Sequence, residues 1–283
     1  MADSPGRLFI VATPIGNLED ITERAITTLE TADLIVAEDT RRSRKLLSHF
    51  GINTPMESYH GDSSDAKRSR LIDRLREGQT LALVSDAGTP CISDPGARLV
   101  RMARDAGIQV SPIPGPSSIT AALSVSGLDA SRFVFMGYPS RKSSDRNDFF
   151  NTVLNQPWTV VIFEAPHRIV ATLQELAAIA PDRSVFLVRE ATKTFEELTG
   201  GLLHEIAASI STREPRGEYV IVLAGAEEAK DEELPKAAVE QAITQMTEAG
   251  IHTRTIANIL EALTPLSRND AYEAALRNSE EET

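Results

Sequence analysis

The sequence predicts an α/β fold class, with two α/β domains followed by a small all-α C-terminal domain. Short apolar runs alternate with amphipathic helical patterns from residue 8 to residue 225. Polar loops containing Gly or Pro follow most of these runs, and after Pro235 the pattern is helical only. Because parallel strands need crossover connections that are usually helices, the alternation predicts layered domains with mostly parallel sheets.

The first domain is predicted at residues 1–115. Its apolar strands are expected at 8–13, 33–38, 81–85 and 107–115, and its helices at 20–32, around 71–75 and at 95–106. In the first helix Ile21, Ala25 and Leu29 fall on one face. In the last helix Pro95 suits the first turn, and Asp94 is expected to be the N-cap.

The second domain is predicted at residues 116–226. Its helices are expected at 117–127, 145–155 and 167–179, and its strands at 132–137, 159–165, 184–190 and 218–225. An acidic linker at 226–234 then leads to a helical domain at 235–283, with helices at 236–249, 253–263 and 267–278. Gly250 is expected to stop the first of these three helices, and Ser267 to cap the last one.

The charge of the chain is uneven. The net charge is −12, of which residues 227–283 carry −8 from thirteen acidic and five basic residues. This argues against nonspecific binding of nucleic acid, and it weakens a duplex-DNA reader in the helical domain. Basic clusters at 41–45, at 140–146 and at Arg213 with Arg216 are either solvated faces or a local RNA-facing patch.

Bulk features place the chain among cytoplasmic proteins without a membrane segment. The apolar runs are much shorter than a bilayer span, and the N-terminus lacks a signal-peptide pattern. The single cysteine, Cys91, excludes internal disulfides and is interpreted as a small buried residue rather than a reactive thiol.

Six polar loops stand where strands are predicted to end. Their sequences are TPIGN (13–17), EDTRRSR (38–44), SDAGTPCISDPG (85–96), PGPSS (114–118), EAPHR (164–168) and REATK (189–193). In parallel α/β sheets the carboxyl ends of the strands face the ligand crevice, so together these loops predict a binding site. The PGPSS turn opens a helix whose free N–H groups suit an anionic group.

The ligand class is narrowed by what the loops lack. No G-x-G-x-x-G follows the first strand and no Walker sequence occurs, which disfavours dinucleotide and nucleoside-triphosphate sites. The five histidines lack metal-ligand spacing. Asp86 and Asp94 suit Mg²⁺, but Asp-Gly and Asp-Pro pairs form turns, and a turn is favoured. No metal is predicted.

In this order, the six loops resemble the tetrapyrrole methylase superfamily, and together they resemble its branch that acts on ribosomal RNA. The similarity covers residues 7–225 and the helical tail. It implies two α/β domains with S-adenosyl-L-methionine in the cleft between them. It also implies 2′-O-methylation of a cytidine ribose in the decoding region of small-subunit (16S) rRNA, and a homodimer.

By position, the resemblance implies a set of cofactor-binding residues. They are Pro14, Ile15, Asp86, Gly88, Thr89, Ser117, Ser118, Ile119 and Phe163. An acidic group beside a sulfonium offsets its charge, and small residues allow close backbone approach. The chain departs from the expected pattern at Ala191, where a Leu is expected, and we interpret this as a packing change.

A ribose hydroxyl is a poor nucleophile, so a base or a cation should assist it. The candidate catalytic residues are Lys193, Glu190, Glu164 and Asp39, with Glu38 as a further strand-end carboxylate. The candidate RNA-binding residues are Arg41, Arg42, Arg44, Arg141, Lys142 and Arg168. An alternative is that pairs such as Glu164–Arg168 and Arg189–Glu190 only brace the cleft. Alternative functions are methylation of a tetrapyrrole precursor and a non-catalytic module that binds the cofactor.

Overall fold

The structure is a computed structural model that describes residues 6–212, 214–226, 236–264 and 266–280. The chain forms two compact units that divide between Gly225 and Ala226. Arg213 and all of the expected acidic linker except Ala226 lie outside the described residues. Within the described residues, no helix combines the length and the apolar character that crossing a membrane requires.

The first sheet is entirely parallel, as the alternation of strands and helices predicts. Its strands are β1 (Arg7–Val11), β2 (Leu34–Ala37), β3 (Met56–Ser58), β4 (Thr80–Val84) and β5 (Gln109–Ile113). They lie in the order β3-β2-β4-β1-β5, and every pair is parallel. All four residues of β2 are buried, because helices cover both faces of such a sheet.

The helices that flank this sheet are α1 (Glu23–Thr31), α2 (Thr40–His49), α3 (Asp65–Arg76) and α4 (Ala97–Asp105), with a short 3₁₀ helix at Leu18–Asp20. Two expectations from the sequence are wrong here. The expected loop at 38–44 is mostly the first turns of α2, which Asp39 caps by accepting the N–H of Arg41. Helix α4 is capped by Gly96 rather than Asp94, because Gly96 has φ 138°, which a residue with a side chain rarely adopts.

The second sheet is mixed, so the prediction of mostly parallel sheets is wrong for this half. Its strands are β6 (Phe133–Gly137), β7 (Thr159–Glu164), β8 (Ser184–Arg189), β9 (Glu197–Leu202) and β10 (Tyr219–Leu223), in the order β6-β7-β10-β8-β9. Only β6 and β7 pair in parallel. A loop at residues 190–196 joins β8 to β9, because an antiparallel pair needs no helical crossover. The sequence of β9, ELTGGL, hides the strand because glycine is depleted in strands.

Four helices cover the second sheet: α5 (Ser118–Ser126), α6 (Ser143–Leu154), α7 (Ile169–Ile179) and α8 (Leu203–Ser211). Ile119 and Leu123 of α5 pack with Val161 and Val220 of the sheet. The other three helices bury the larger core on the opposite face. Because α5 packs with the second sheet, we keep a division at 1–115 and 116–226 as a proposal.

The C-terminal unit contains α9 (Lys236–Glu248), α10 (Thr253–Leu263) and α11 (Arg268–Glu280), in agreement with the predicted helices. Ile243, Ile256 and Leu260 pack with three buried alanines in its small core. Gly250, with φ 75°, follows α9 as expected, and the Ser267 hydroxyl accepts the N–H of Asp270 at the start of α11.

A close contact joins the loop after β1 to the loop after β8. The N–H of Asn17 donates to the Thr192 hydroxyl over 3.1 Å. A Cβ at Gly16 would lie 2.5 Å from Lys193 Cγ and 2.6 Å from the Ala191 carbonyl oxygen. Only glycine therefore lets these two loops meet, and their contact holds the edges of the two sheets together.

We expect Gly16→Ala to lower the thermal midpoint of the protein. The added methyl group forces the two loops apart, and overpacking of this kind costs about 1–3 kcal/mol. At roughly 2–4 °C per kcal/mol, differential scanning calorimetry can resolve the change. Gly61→Ala is the matched control, because nothing lies within 4 Å of a Cβ at Gly61. Equal midpoints for the two variants would contradict the proposed role of this contact.

Candidate active site

One cavity lies where the strand-end loops of the two sheets meet, and it encloses about 250 Å³. In the first sheet the carboxyl ends of all five strands face this edge. In the second sheet the same edge carries the carboxyl ends of β6, β7 and β8 and the amino end of β10. The lining residues are Ile15, Glu38, Arg42, Asp86, Ala87, Gly88, Thr89, Ile92, Ser93, Asp94, Ser117, Ser118, Ile119, Tyr138, Phe163, Val188, Ala191, Glu218, Tyr219 and Val220.

The wall from the first sheet is built by backbone contacts between loops. Thr13 and Gly88 exchange backbone hydrogen bonds of 2.9 and 3.0 Å, which ties the loop after β1 to the loop after β4. Gly88 has φ 76°, so this turn suits a residue without a side chain. The Thr89 hydroxyl donates to the Pro116 carbonyl over 3.4 Å, which joins the loop before α5 to the same wall.

The wall from the second sheet is apolar and aromatic. The ring of Phe163, at the end of β7, makes edge contacts with Phe135 and with Tyr138 at centroid distances of 4.8 and 5.5 Å. Val188 of β8 and Val220 of β10 complete the surface. A flat ligand bound in this cavity would therefore contact an apolar surface from the second sheet and carboxylates from the first sheet.

Three carboxylates, Glu38, Asp86 and Asp94, line the cavity together. Burial raises the pKa of Glu38, and the nearby carboxylates of Asp94 and Asp86 raise it further. Burial also raises the pKa of Asp94, against a hydrogen bond with Ser85. Asp86 accepts the N–H of Asp39 over 3.0 Å and lies 3.3 Å from a guanidinium nitrogen of Arg42. This side of the cavity is thus built to receive a cation.

One carboxylate oxygen of this cluster, Glu38 Oε2, differs from the others in its hydrogen bonding. Glu38 Oε2 is buried and, among the described residues, has no hydrogen-bond partner. A buried polar atom of this kind is costly unless something binds it. Glu38 is therefore the carboxylate that a bound molecule would satisfy.

The structure brings eight of the nine expected cofactor residues around this one cavity; Pro14 does not line it. Tyr138, Glu218 and Tyr219 line it as well and were missed in the sequence. Tyr138 follows β6 in a loop with no Gly-rich or acidic signal. Glu218 and Tyr219 were missed because the parallel arrangement expected for β10 puts its amino end at the other edge of the sheet.

Glu190 and Lys193 form an ion pair beside the cavity, whose lining includes Ala191 between them. Lys193 Nζ lies 2.8 Å from Glu190 Oε1 and 3.0 Å from Glu218 Oε2. Partial burial raises the pKa of Glu190, but hydrogen bonds from Lys193 and from the Glu218 N–H outweigh it and leave the pKa lowered. Glu190 and Thr192 have φ 52° and 63°, so the loop adopts a conformation that side chains disfavour.

Glu164 lies in a buried network away from the cavity lining. Its side chain is fully buried, lies 3.3 Å from Arg168 Nε, and accepts hydrogen bonds from the Thr172 hydroxyl and the Ala165 N–H. Arg168 also donates to the carbonyls of Pro139 and Ser140 over 2.7 and 3.2 Å. These two residues, expected to serve catalysis and RNA binding, thus brace the loop after β6 in this structure.

The remaining expected residues lie on the surface. Three hydrogen bonds from Arg41, two from its side chain and one from its backbone N–H, hold the pKa of Asp39 at about 2. Arg42 is the expected RNA-binding residue that reaches the cavity, and its side chain is 63% exposed. Arg44, Arg141 and Lys142 are exposed.

Metal and thiol chemistry have little support at this site. Within the described residues, no group of three or more His, Cys, Asp or Glu side chains is arranged to hold a metal ion. Cys91 is half-buried, and burial followed by the nearby Asp94 carboxylate raises the pKa of its thiol to about 11. The thiol therefore stays protonated, as the interpretation of a packed residue requires.

Comparison with known proteins identifies the class. Residues 7–207 match the family model for tetrapyrrole (corrin/porphyrin) methylases. The chain is 41% identical over 272 residues to the ribosomal RNA small subunit methyltransferase I of Synechocystis sp., covering 96% of this chain and 98% of that protein. The chain therefore belongs to the tetrapyrrole (corrin/porphyrin) methylase family and, within it, to the group of proteins named ribosomal RNA small subunit methyltransferase I.

Further relatives agree with this assignment. The protein of the same name from Escherichia coli O157:H7 is 40% identical over 277 residues, or 97% of this chain and 96% of that protein. A cobalt precorrin-4 methyltransferase of cobalamin biosynthesis has a TM-score of 0.58 at 17% identity, covering 77% of this chain and 94% of its own. A diphthine synthase has a TM-score of 0.59 at 18% identity, covering 77% and 90%. The fold class predicted from the sequence is confirmed.

S-adenosylmethionine is the methyl donor that membership in this family implies. The cavity suits its chemistry in two respects. The donor carries a sulfonium and an ammonium group, and the cavity offers Glu38, Asp86 and Asp94. The donor also carries an adenine ring, and the cavity offers the apolar wall around Phe163 and Val220.

Proposed function

We propose that this protein transfers a methyl group from S-adenosylmethionine to the 16S rRNA of the small ribosomal subunit. The observation that carries the proposal is the 41% identity over 96% of the chain to a relative whose name states this substrate. That match extends through the helical C-terminal unit, which the family model at residues 7–207 does not include. Similarity therefore extends past the cofactor fold, as a shared macromolecular substrate requires.

The cavity between the two sheets is the proposed cofactor site. Asp86, Gly88 and Thr89 would hold the donor from the loop after β4, and Ser117 and Ser118 from the start of α5. Ile15, Ile119 and Phe163 supply apolar contacts, and Pro14 supports the first loop from outside the lining. S-adenosylmethionine supplies the methyl group on a positively charged sulfur, so a negative field from three carboxylates favours its binding.

The finer reaction that we propose is methylation of the 2′-hydroxyl of a cytidine ribose in the decoding region. It rests on the resemblance of the six strand-end loops to the ribosomal branch of the family. The hydroxyl loses its proton when it accepts a methyl group, so the chain must offer a proton acceptor. Positioning of the hydroxyl supplies much of the remaining rate enhancement.

Glu38 is the proposed proton acceptor. It lines the cavity, its Oε2 is free to accept within the described residues, and its pKa is raised above the ordinary value of 4.5. A base whose pKa lies closer to neutrality takes a proton more effectively at physiological pH. A carboxylate whose pKa is lowered takes up a proton less effectively at physiological pH.

The sequence-based catalytic residues remain competing proposals. Asp39 is the weakest as a base, since Arg41 holds its pKa at about 2. Glu164 suits a bracing role because its charge is buried and paired. Glu190 and Lys193 suit a positioning role, because together they fix Glu218 at the cavity wall. A cationic Lys193 that polarises the hydroxyl is the alternative that kinetics must exclude.

We propose that the RNA contacts Arg42 at the cavity. Around the cavity it would contact Arg41, Arg44, Arg141 and Lys142. Arg168 would hold the loop that carries Arg141 and Lys142. Local basic groups suffice for phosphate contacts despite the net charge of −12. We further propose that the protein acts in the cytoplasm as a homodimer, as the resemblance implies.

Mass mapping of 16S rRNA from cells with and without this protein tests the substrate. We expect one ribose methylation in the decoding region to disappear when the protein is absent and to return when the wild-type chain is supplied. A chain with Asp86→Asn should restore it poorly, because the substitution removes a charge from the cofactor wall. An rRNA methylation pattern that does not depend on the protein would reject the proposed function.

Glu38→Gln tests the proton acceptor. We expect kcat on small subunits to fall about 100-fold or more, the size of a general-base contribution. In the wild type kcat should fall as pH drops through the raised pKa of Glu38, above 4.5, and the variant should lose this limb. Lys193→Ala and Glu190→Gln are the comparison variants. If these two lose kcat while Glu38→Gln keeps it, the assignment to Glu38 is wrong.

A further inference from the structure

Two large side chains form an apolar lip at the mouth of the cavity. Neither the proposed cofactor site nor the proposed proton acceptor gives this lip a role. It consists of Tyr138, which follows β6, and Ile92, in the loop after β4. Both line the cavity, yet 55% of Tyr138 and 45% of Ile92 remain exposed. Large apolar side chains that stay exposed beside a polar pocket mark a contact surface for another molecule.

The ring of Tyr138 is held in place by its surroundings. One edge packs against Phe163, with an angle of 61° between the two rings. The carbonyls of Pro139 and Ser140, the next two residues, accept hydrogen bonds from Arg168. Arg168 is itself paired with the fully buried Glu164. The network that braces this loop therefore presents a fixed aromatic face, with little conformational freedom left to lose on binding.

Cationic side chains flank this face. Arg141 and Lys142 follow on the same loop and are exposed, and Arg42 reaches the cavity from α2. An aromatic face bordered by cations is the arrangement that binds single-stranded nucleic acid, since bases stack on the ring while phosphates contact the cations. An apolar small molecule would not need the cations, and a duplex would not reach the ring.

The position of the cavity makes unstacking necessary. Glu38 and the other carboxylates lie inside the cavity, so a ribose in a stacked strand cannot approach them closely. Enzymes that act on a recessed nucleotide turn it out of the stack and replace the lost stacking with side-chain contacts. Unpaired RNA bases are commonly stacked on aromatic residues for this reason.

We propose that Tyr138, which lines the same cavity as Ile92, is the stacking platform for the nucleobase of the target nucleotide when it is turned out of the rRNA. The inference rests on the proposed function and adds the residue that receives the base. Tyr138 is then a binding residue for RNA rather than for the methyl donor, whose proposed site lies deeper, along Asp86, Ser117 and Phe163.

Steady-state methylation of small subunits lacking the modification tests this, with cofactor affinity measured by calorimetry on the same full-length variants. We expect Tyr138→Ala to raise the KM for subunits about tenfold, a typical loss for one stacked base. Tyr138→Phe keeps the aromatic face and should stay within about twofold of the wild type. The Kd for S-adenosylmethionine should change less than about twofold in both variants.

Two controls keep the test decisive. Tyr138→Leu keeps apolar bulk without an aromatic face, so we expect a KM close to that of Tyr138→Ala, and it replaces the alanine variant if the latter does not fold. Trp158→Ala removes an aromatic side chain that is 43% exposed at the start of β7, the end opposite Phe163, and should leave the KM unchanged.

Three results would overturn the inference. If the KM for subunits is unchanged in both Tyr138→Ala and Tyr138→Leu, Tyr138 is not a stacking platform. The proposed function would not be affected by this result. A cofactor Kd that rises as much as the KM would assign the ring to the methyl donor instead. If the wild type methylates no subunit, the proposed function fails, and this inference fails with it.

Discussion

The contact between the loop after β1 and the loop after β8 is the constraint on which the site depends. Gly16 lets Ala191, Thr192 and Lys193 approach the first sheet, and the Asn17 N–H fixes the approach by a hydrogen bond. Without it, neither sheet offers more than half of a cavity. The left-handed backbone of Glu190 and Thr192 is the local cost of this arrangement. The same turn aims Glu190 at Lys193, which in turn fixes Glu218 at the wall from the second sheet.

Charge inside the cavity is arranged for a cationic ligand. Three carboxylates converge at the cavity, and burial raises the pKa values of two of them, Glu38 and Asp94. Arg42 forms an ion pair with Asp86 and also acts on the charge of Glu38, so one cation faces three carboxylates at this wall of the cavity. When S-adenosylmethionine is bound, its positive charge would relieve the repulsion between Glu38, Asp86 and Asp94.

The sequence predicts this architecture well where one local signal decides the outcome. Apolar runs locate the parallel strands of the first sheet, and Gly250 and Ser267 mark helix ends that the structure confirms. Signals that depend on tertiary pairing were missed. Strand β9 was not predicted because its two glycines mask the strand pattern, and the antiparallel direction of β10 hides Glu218 and Tyr219. The bracing pair of Glu164 and Arg168 was one of the alternatives that the sequence offered, but the contacts of Glu164 with Arg146 and Thr172 were not foreseen. Periodicity alone carries no information on such contacts.

A crystal structure of the full chain with S-adenosylmethionine tests the central claim, that the edges of the two sheets together form the methyl-donor site. We expect density for the donor between Asp86–Thr89 of one wall and Phe163 with Val220 of the other, with its positive groups toward Asp86 and Asp94. Density that contacts one sheet only, or that lies elsewhere on the chain, would contradict the account.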